Sequence, residues 1–441
     1  MTSPRHARTV GVVTVALALA VPSLRVTVDS QQAAQAPTFR TAVDLIPVDV
    51  QVVDAQGRPV LGLDPSSFEV TIDGRRRRVV SADFLEYAQS TRTLPIASMG
   101  TGPLATNQWP AASEPDRTFV VAFDAASFSA GEAVGVRRAA QAFIDRLPES
   151  DAVGVFTLPH GTHLSPTTDR VAVRQVLGRV VGEEGLRSNR YNLSAAEIID
   201  INASPGNPYA ATPNPARALG TIAPTDPNDV LRQVQSRECT NSNDQGCVAS
   251  ILIDAESLGR QYEEQAEESI AGIKSLLRLL GEYKGRKTVV LVSGGMPVSD
   301  RAGGWNSEGG EAVALGHEAA RSQATIYSLH LDRGYSRTYA AETRTPRMTS
   351  SSSSRARERE LEERLLNQFS VASGGAMFSV PTGNGEVALD RLLLETSAVY
   401  LLGVSPETLD IDGRTHQLKV KVAQRGTTIR SRQFVLLRAG S

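Results

Sequence analysis

The segment "TFVVAFD" (118–124) constrains this chain more than any other, because six residues pass without polar alternation before the run ends in Asp124. A strand wetted on one face alternates polar and apolar side chains. A run that does not alternate must be covered on both faces, as in a parallel sheet with helices above and below. The segments "AVGVFTL" (152–158), "KTVVLVS" (287–293), "TIYSLHL" (325–331) and the shorter "AMFSV" (376–380) have the same character. Amphipathic stretches fall between them. Val136, Ala140, Phe143, Ile144 and Leu147 share one helical face, and Ile270, Ile273, Leu277 and Leu280 form a stripe on a long helix near 256–281. Further helices are predicted near 169–181, 309–322 and 357–373. This alternation predicts an α/β fold with a doubly wound, mostly parallel, Rossmann-like sheet over 117–395, in which ligands bind beyond the carboxyl ends of the strands.

Both ends of the chain read differently. In 37–87, Val48, Val50 and Val52 alternate with Asp49 and Gln51, and Phe68, Val70 and Ile72 alternate with Glu69, Thr71 and Asp73, as half-buried strands require. Asp73-Gly74 predicts a tight turn into "RRRRVVSADF", whose four arginines read as a solvated, aggregation-resistant strand or as a binding patch. The last 46 positions, 396–441, hold "SAVYLLGVSP", "HQLKVKVAQ" and "IRSRQFVLL", again with strand periodicity. A sheet of three short strands is marginal alone. The two ends are therefore expected to pack together as one β-sandwich-like unit, with the α/β region inserted between them. Residues 88–116, rich in Pro, Gly, Ser and Thr, read as a linker, and 184–255 and 334–357 as insertions, the second of low complexity.

The first 36 residues carry Arg5, His6 and Arg8, an apolar run from Val10 to Val21 and the A-x-A of Ala34–Ala36, the pattern of a cleaved export signal; a membrane anchor is the alternative. Export bears on Cys239 and Cys247, the only cysteines, which in an oxidising compartment would pair and close a small polar loop, or else remain two free thiols. A formal net charge of −2 argues against nucleic acid or an anionic membrane as the partner. Asn202-Ala203-Ser204 matches the glycosylation sequon, a frequent chance match.

Taken in order, "DLIPVDVQVVDAQGRPVLGLDPSSFEVTIDG", "RTFVVAFDAASFS", "LPESDAVGVFTL", "GRKTVVLVSGG", "ASGGAMFSV" and "SAVYLLGVSPETLDIDGRTHQLKVKV" resemble the von Willebrand factor type A domain, specifically the exported VWFA-related proteins common in acidobacteria. That resemblance implies a metal-ion-dependent adhesion site on three loops at the top of the sheet: D-x-S-x-S, a Thr and an Asp around Mg2+, with one coordination position left for a partner carboxylate. The match is partial. Asp124 holds the first position, Ala126 and Phe128 replace the serines, and Ser127 and Ser129 bring hydroxyls one residue late. Thr168 is the candidate for the second loop; in the third, Ser293 and Gly294 stand where the Asp is expected, with Asp300 six residues on. Asp124, Ser127, Ser129 and Thr168 are thus the weak candidate ligands of a degenerate Mg2+ site. The alternative is that Asp124 caps the following helix or bonds to neighbouring loops.

No nucleophile elbow, Walker loop or G-x-G-x-x-G occurs; "LVSGG" lacks the first glycine of the elbow, and His160 and His163 in "PHGTH" sit in a loop without an acidic neighbour. The acidic run "YEEQAEESI" (262–270) reads as a solvent face. The expectation is an exported, periplasmic or extracellular, non-enzymatic binding protein recognising a protein or cell-envelope component through the top of its sheet and the adjoining insertion. A metal-independent envelope scaffold is the first alternative and a hydrolase the second.

Overall fold

A computed structural model describes residues 45–87, 117–185, 188–203, 227–241, 244–299, 310–332, 352–381, 385–407 and 410–437. Residues 1–36, expected to be an export signal, the expected linker 88–116, Asp300 and most of the expected 334–357 insertion lie outside the described residues.

Six strands form the central sheet: β5 (Thr118–Asp124), β6 (Ala152–Leu158), β7 (His163–Thr167), β8 (Lys287–Ser293), β9 (Ala324–Asp332) and β10 (Met377–Pro381). Their spatial order is β10-β9-β8-β5-β6-β7, all parallel except the edge strand β7. Every residue of β5 is buried, because the strand is covered on both faces as its unbroken apolar run requires. One face packs against α1 (Ala130–Ile144), α2 (Arg170–Leu177) and α8 (Glu386–Glu395) through Phe119, Phe123, Phe143, Leu177 and Leu392. The other packs against α5 (Gln245–Leu280), α6 (Glu311–Ser322) and α7 (Ser352–Ser373) through Val120, Ile273, Leu277, Leu315 and Phe369.

Strands from the two ends of the chain interleave. β1 (Ile46–Val53) and β4 (Val79–Glu86) both pair antiparallel with β11 (Ala398–Val404), and β13 (Thr428–Arg430) joins the far edge of β1. A second sheet takes the order β14-β12-β2-β3, from Phe434–Leu436, Thr415–Val422, Phe68–Ile72 and Arg75–Arg77. The two sheets enclose one core in which Val48, Val50, Tyr400 and Leu402 meet Phe68, Val70, Leu418 and Val420.

Four readings of the sequence need correcting. The arginine run is not uniformly solvated: Arg77 is 5% exposed and grips Asp410 through two bonds of 2.7 Å. It sits where the chain leaves one sheet for the other, β3 staying with β2 while β4 crosses to β11. The long helix begins at Gln245, eleven residues before the expected start, and 352–357 is the first part of α7 rather than an irregular tract. "PHGTH" is only partly a loop, since His163 opens β7 and stacks on Phe156 at 6.1 Å.

The insertion builds helices of its own. α3 (Ala195–Asn202) and α4 (Pro227–Glu238) pack on the first half of α5 around Ile198, Ile201, Val234, Ile251 and Leu258. Cys239 and Cys247 form a disulfide between the end of α4 and the start of α5. The Asn202 side chain is buried, its Nδ2 donating to Ala255 O at 2.8 Å, so the sequon nitrogen is turned inward. Among the described residues, no helix is long and apolar enough to cross a membrane.

Candidate functional site

In chain order the sheet strands run outward from β5 through β6 to β7, then jump back to β8 and run the other way. The order reverses between β5 and β8, and a crevice at the carboxyl ends of the strands on either side of such a reversal is where open α/β sheets bind ligands. β5 ends there in Asp124 and β8 in Ser293.

The crevice is filled. Asp124 is fully buried; its Oδ1 accepts from Ser269 Oγ of α5 and its Oδ2 from Ser293 Oγ, each at 2.7 Å. Ser127 Oγ donates to the Asp124 carbonyl at 2.6 Å and accepts from the Gly294 amide at 2.7 Å, and Ser293 Oγ accepts from the Gly295 amide at 3.1 Å. A hydroxyl has one proton to give, and here each of the three is committed to Asp124. All three serines are as buried as the aspartate.

Two backbone segments close over this network. The segment after β8, Gly294–Ser299, is buried throughout and tucks beneath α7, with the Met296 amide bonded to Glu362 O at 3.2 Å. Gly295 has φ of 103°, and a Cβ there would lie 2.6 Å from that of Glu362. On the other side, the Glu183 and Glu184 amides reach the carbonyls of Ala125 and Phe128 at 2.7 and 3.0 Å. Gly182 permits the approach, since a Cβ would fall 2.3 Å from Ser129 O.

The four candidate ligands therefore separate. Asp124 and Ser127 come together. Ser129 lies at the mouth of α1, where Glu132 Oε2 accepts from both its amide and its hydroxyl at 2.8 and 2.9 Å, so the helix is capped by Ser129 and Glu132 and not by the Asp124 carboxylate. Thr168 is exposed at the other end of the sheet. Its neighbour Thr167 pairs with Val153, which pairs with Phe119, five residues back along β5 from Asp124 and so roughly 17 Å away at the usual strand rise. Mg2+ prefers several anionic oxygens in octahedral array. What converges here from the described residues is one carboxylate with serine protons directed into it, a donor set that does not fit the ion. Among the described residues, no group of three or more His, Cys, Asp or Glu is placed to hold a metal.

One participant and one buried neighbour carry no sequence signal. Ser269 sits inside the acidic run on α5, and His330 lies beside Ser293 on β9. His330 is fully buried, with Nδ1 3.0 Å from Glu363 Oε1 and Nε2 3.5 Å from Glu362 Oε2. Burial alone would lower its pKa, but the two glutamates outweigh that and raise it. No family model and no curated protein matches the sequence.

Proposed function

We propose that this chain is a non-enzymatic binding protein of the exported von Willebrand factor type A kind, engaging a protein or cell-envelope partner without a metal ion. The observation that carries the reading is the closed switch point: the position from which a type A domain would present its ion holds a buried, internally satisfied Asp124–Ser127–Ser269–Ser293 network. The strand order and the resemblance of the ordered segments support the family assignment; the step from fold to partner is an analogy. The disulfide and the lack of a membrane-spanning helix among the described residues are compatible with export. Serines around a carboxylate would be a nucleophile and base if a substrate reached them, but all four side chains are out of solvent, which favours binding over hydrolysis. Recognition then falls to surfaces such as the α3–α4–α5 insertion, which its own core and the paired Arg357 and Asp200 side chains hold against α7.

Thermal melting with Mg2+, Mn2+ or EDTA, run beside affinity capture from envelope extracts under the same conditions, tests this. A ligand specific to the native state raises the midpoint. The expected result is an unchanged midpoint and the same captured species with EDTA. A midpoint raised by Mg2+, together with capture lost both on chelation and in Asp124→Asn, would refute the metal-independent reading.

A further inference from the structure

At the opposite end of the parallel sheet from Asp124, where the α/β layers meet the antiparallel sheets, lies a polar cavity of about 60 Å3. Five cationic residues line it: Arg117 before β5, Arg286 and Lys287 at the start of β8, and Arg430 and Arg432 around the end of β13. Three carboxylates answer them. Asp49 bridges Arg286 and Arg432 at 2.7 and 3.2 Å, Asp151 holds Arg117 at 2.6 Å, and Glu395 holds Arg430 at 2.7 Å. Tyr87 also faces the cavity, its hydroxyl accepting from Arg286 at 2.8 Å.

Lys287 is the group left over. It is 3% exposed, and Nζ donates to the Ser322 carbonyl at 2.9 Å. No carboxylate lies within ion-pair range of it among the described residues, and burial, with Arg432 adding, pushes its pKa down to about 8. A buried ammonium without a counter-ion is costly. An oxyanion in the cavity would supply that counter-ion while meeting guanidinium edges already fixed by Asp49. The volume holds one tetrahedral oxyanion or about four waters. Arg286, whose side chain is 31% exposed, marks the side open to solvent.

We propose that this cavity is a binding site for a phosphate group, with Lys287 and Arg432 as its main ligands and Arg286 at its mouth. The group is either free inorganic phosphate or the terminal phosphate of a monoester whose remainder stays outside.

The test is calorimetric titration of the full chain with inorganic phosphate and, separately, with glycerol phosphate, against chloride of equal ionic strength. Saturable one-to-one binding of either supports the site, and the tighter of the two identifies the source. Lys287→Met should weaken binding by about tenfold or more, whereas Met at the exposed Lys284 should leave it unchanged. Should Lys287→Met fail to fold, Arg432→Gln and a pH series on the native chain decide. For the series sulfate is the probe, because its charge is constant over the range, and its affinity should fall as Lys287 loses its proton between about pH 7 and 9. Absence of saturable binding up to about 20 mM would overturn the proposal. So would affinities unchanged within about twofold in the Lys287 or Arg432 variant, or a sulfate affinity indifferent to pH.

Discussion

A carboxylate removed from water must have its oxygens answered, and at Asp124 serine hydroxyls from two distant elements do this. Deleting the acceptor strands those hydroxyls in a dry site. Asp124→Ala should therefore cost about 3 kcal/mol of stability, read as a lowered urea midpoint at unchanged slope. Asp124→Asn keeps one acceptor and should lose less than half as much. If both variants melt with the native chain, the network does not hold the crevice shut. The sequence makes Asp124 and Ser127 legible, since a strand that ends in a carboxylate before a helix marks its own tip. Ser269 is not legible in the same way, and Ser293 only through the third-loop position that the type A resemblance assigns to it. They are 145 and 169 residues from Asp124, and only the crossing of α5 behind the sheet brings the first into reach. Thr168 fails for the converse reason: it precedes a helix as a loop ligand should, but β7 runs antiparallel and delivers it to the wrong end.

At the scale of elements, periodicity finds buried strands and long helices readily and loses the pieces whose pattern is interrupted. β7 reads "HLSPT", and the proline is tolerated because the strand lies at an edge, so a central-strand signal is missing. α8 ends in three leucines and Glu395, with only Thr396 and Ser397 before β11, leaving neither glycine nor proline to separate helix from strand. The split of the last β segment into β13 and β14 likewise depends on which sheet receives each half. The cysteine pair is a loop closure in the sequence and a joint between two helices in the structure. Closing so short a loop is worth about 2.5 kcal/mol by the chain-entropy account. Reduction, or Cys239→Ser with Cys247→Ser, should release the α4–α5 joint first. Hydrogen exchange should speed up over 227–255 while α5 beyond Ile270, packed on the sheet, stays protected. Equal loss of protection along the whole of α5 would show that the bridge serves the entire molecule.

On the scale of the whole molecule, the two ends of the chain depend on one another. β1 and β4 do not pair with each other; each pairs with β11, and β2 rests against β12. Without the C-terminal strands, the strand pairing described within residues 45–87 comes down to the short β2–β3 hairpin and the Val53–Pro59 bridge, and Val48, Val50, Val52, Phe68, Val70 and Ile72 lose half of their shared core. Each fully buried side chain of this kind is worth about 1.5–3 kcal/mol, so half of that for six of them is roughly 5–9 kcal/mol, comparable to the total stability of an ordinary domain. The effect should spread, because Asp49 anchors Arg286 and Gln51 accepts from Tyr327 at 2.5 Å, tying β1 to β8 and β9. A chain ending at Thr396 should therefore show unprotected amides over 46–53 and 68–86 and a lowered melting point for the α/β layers that remain. Adding a separate 397–437 peptide should restore both, since strand exchange needs only the pairing edges of β1, β2 and β4. Persistent protection of 46–53 in the shortened chain would mean that the N-terminal strands fold by themselves, and the interleaving would then be a late docking step and not the origin of their stability.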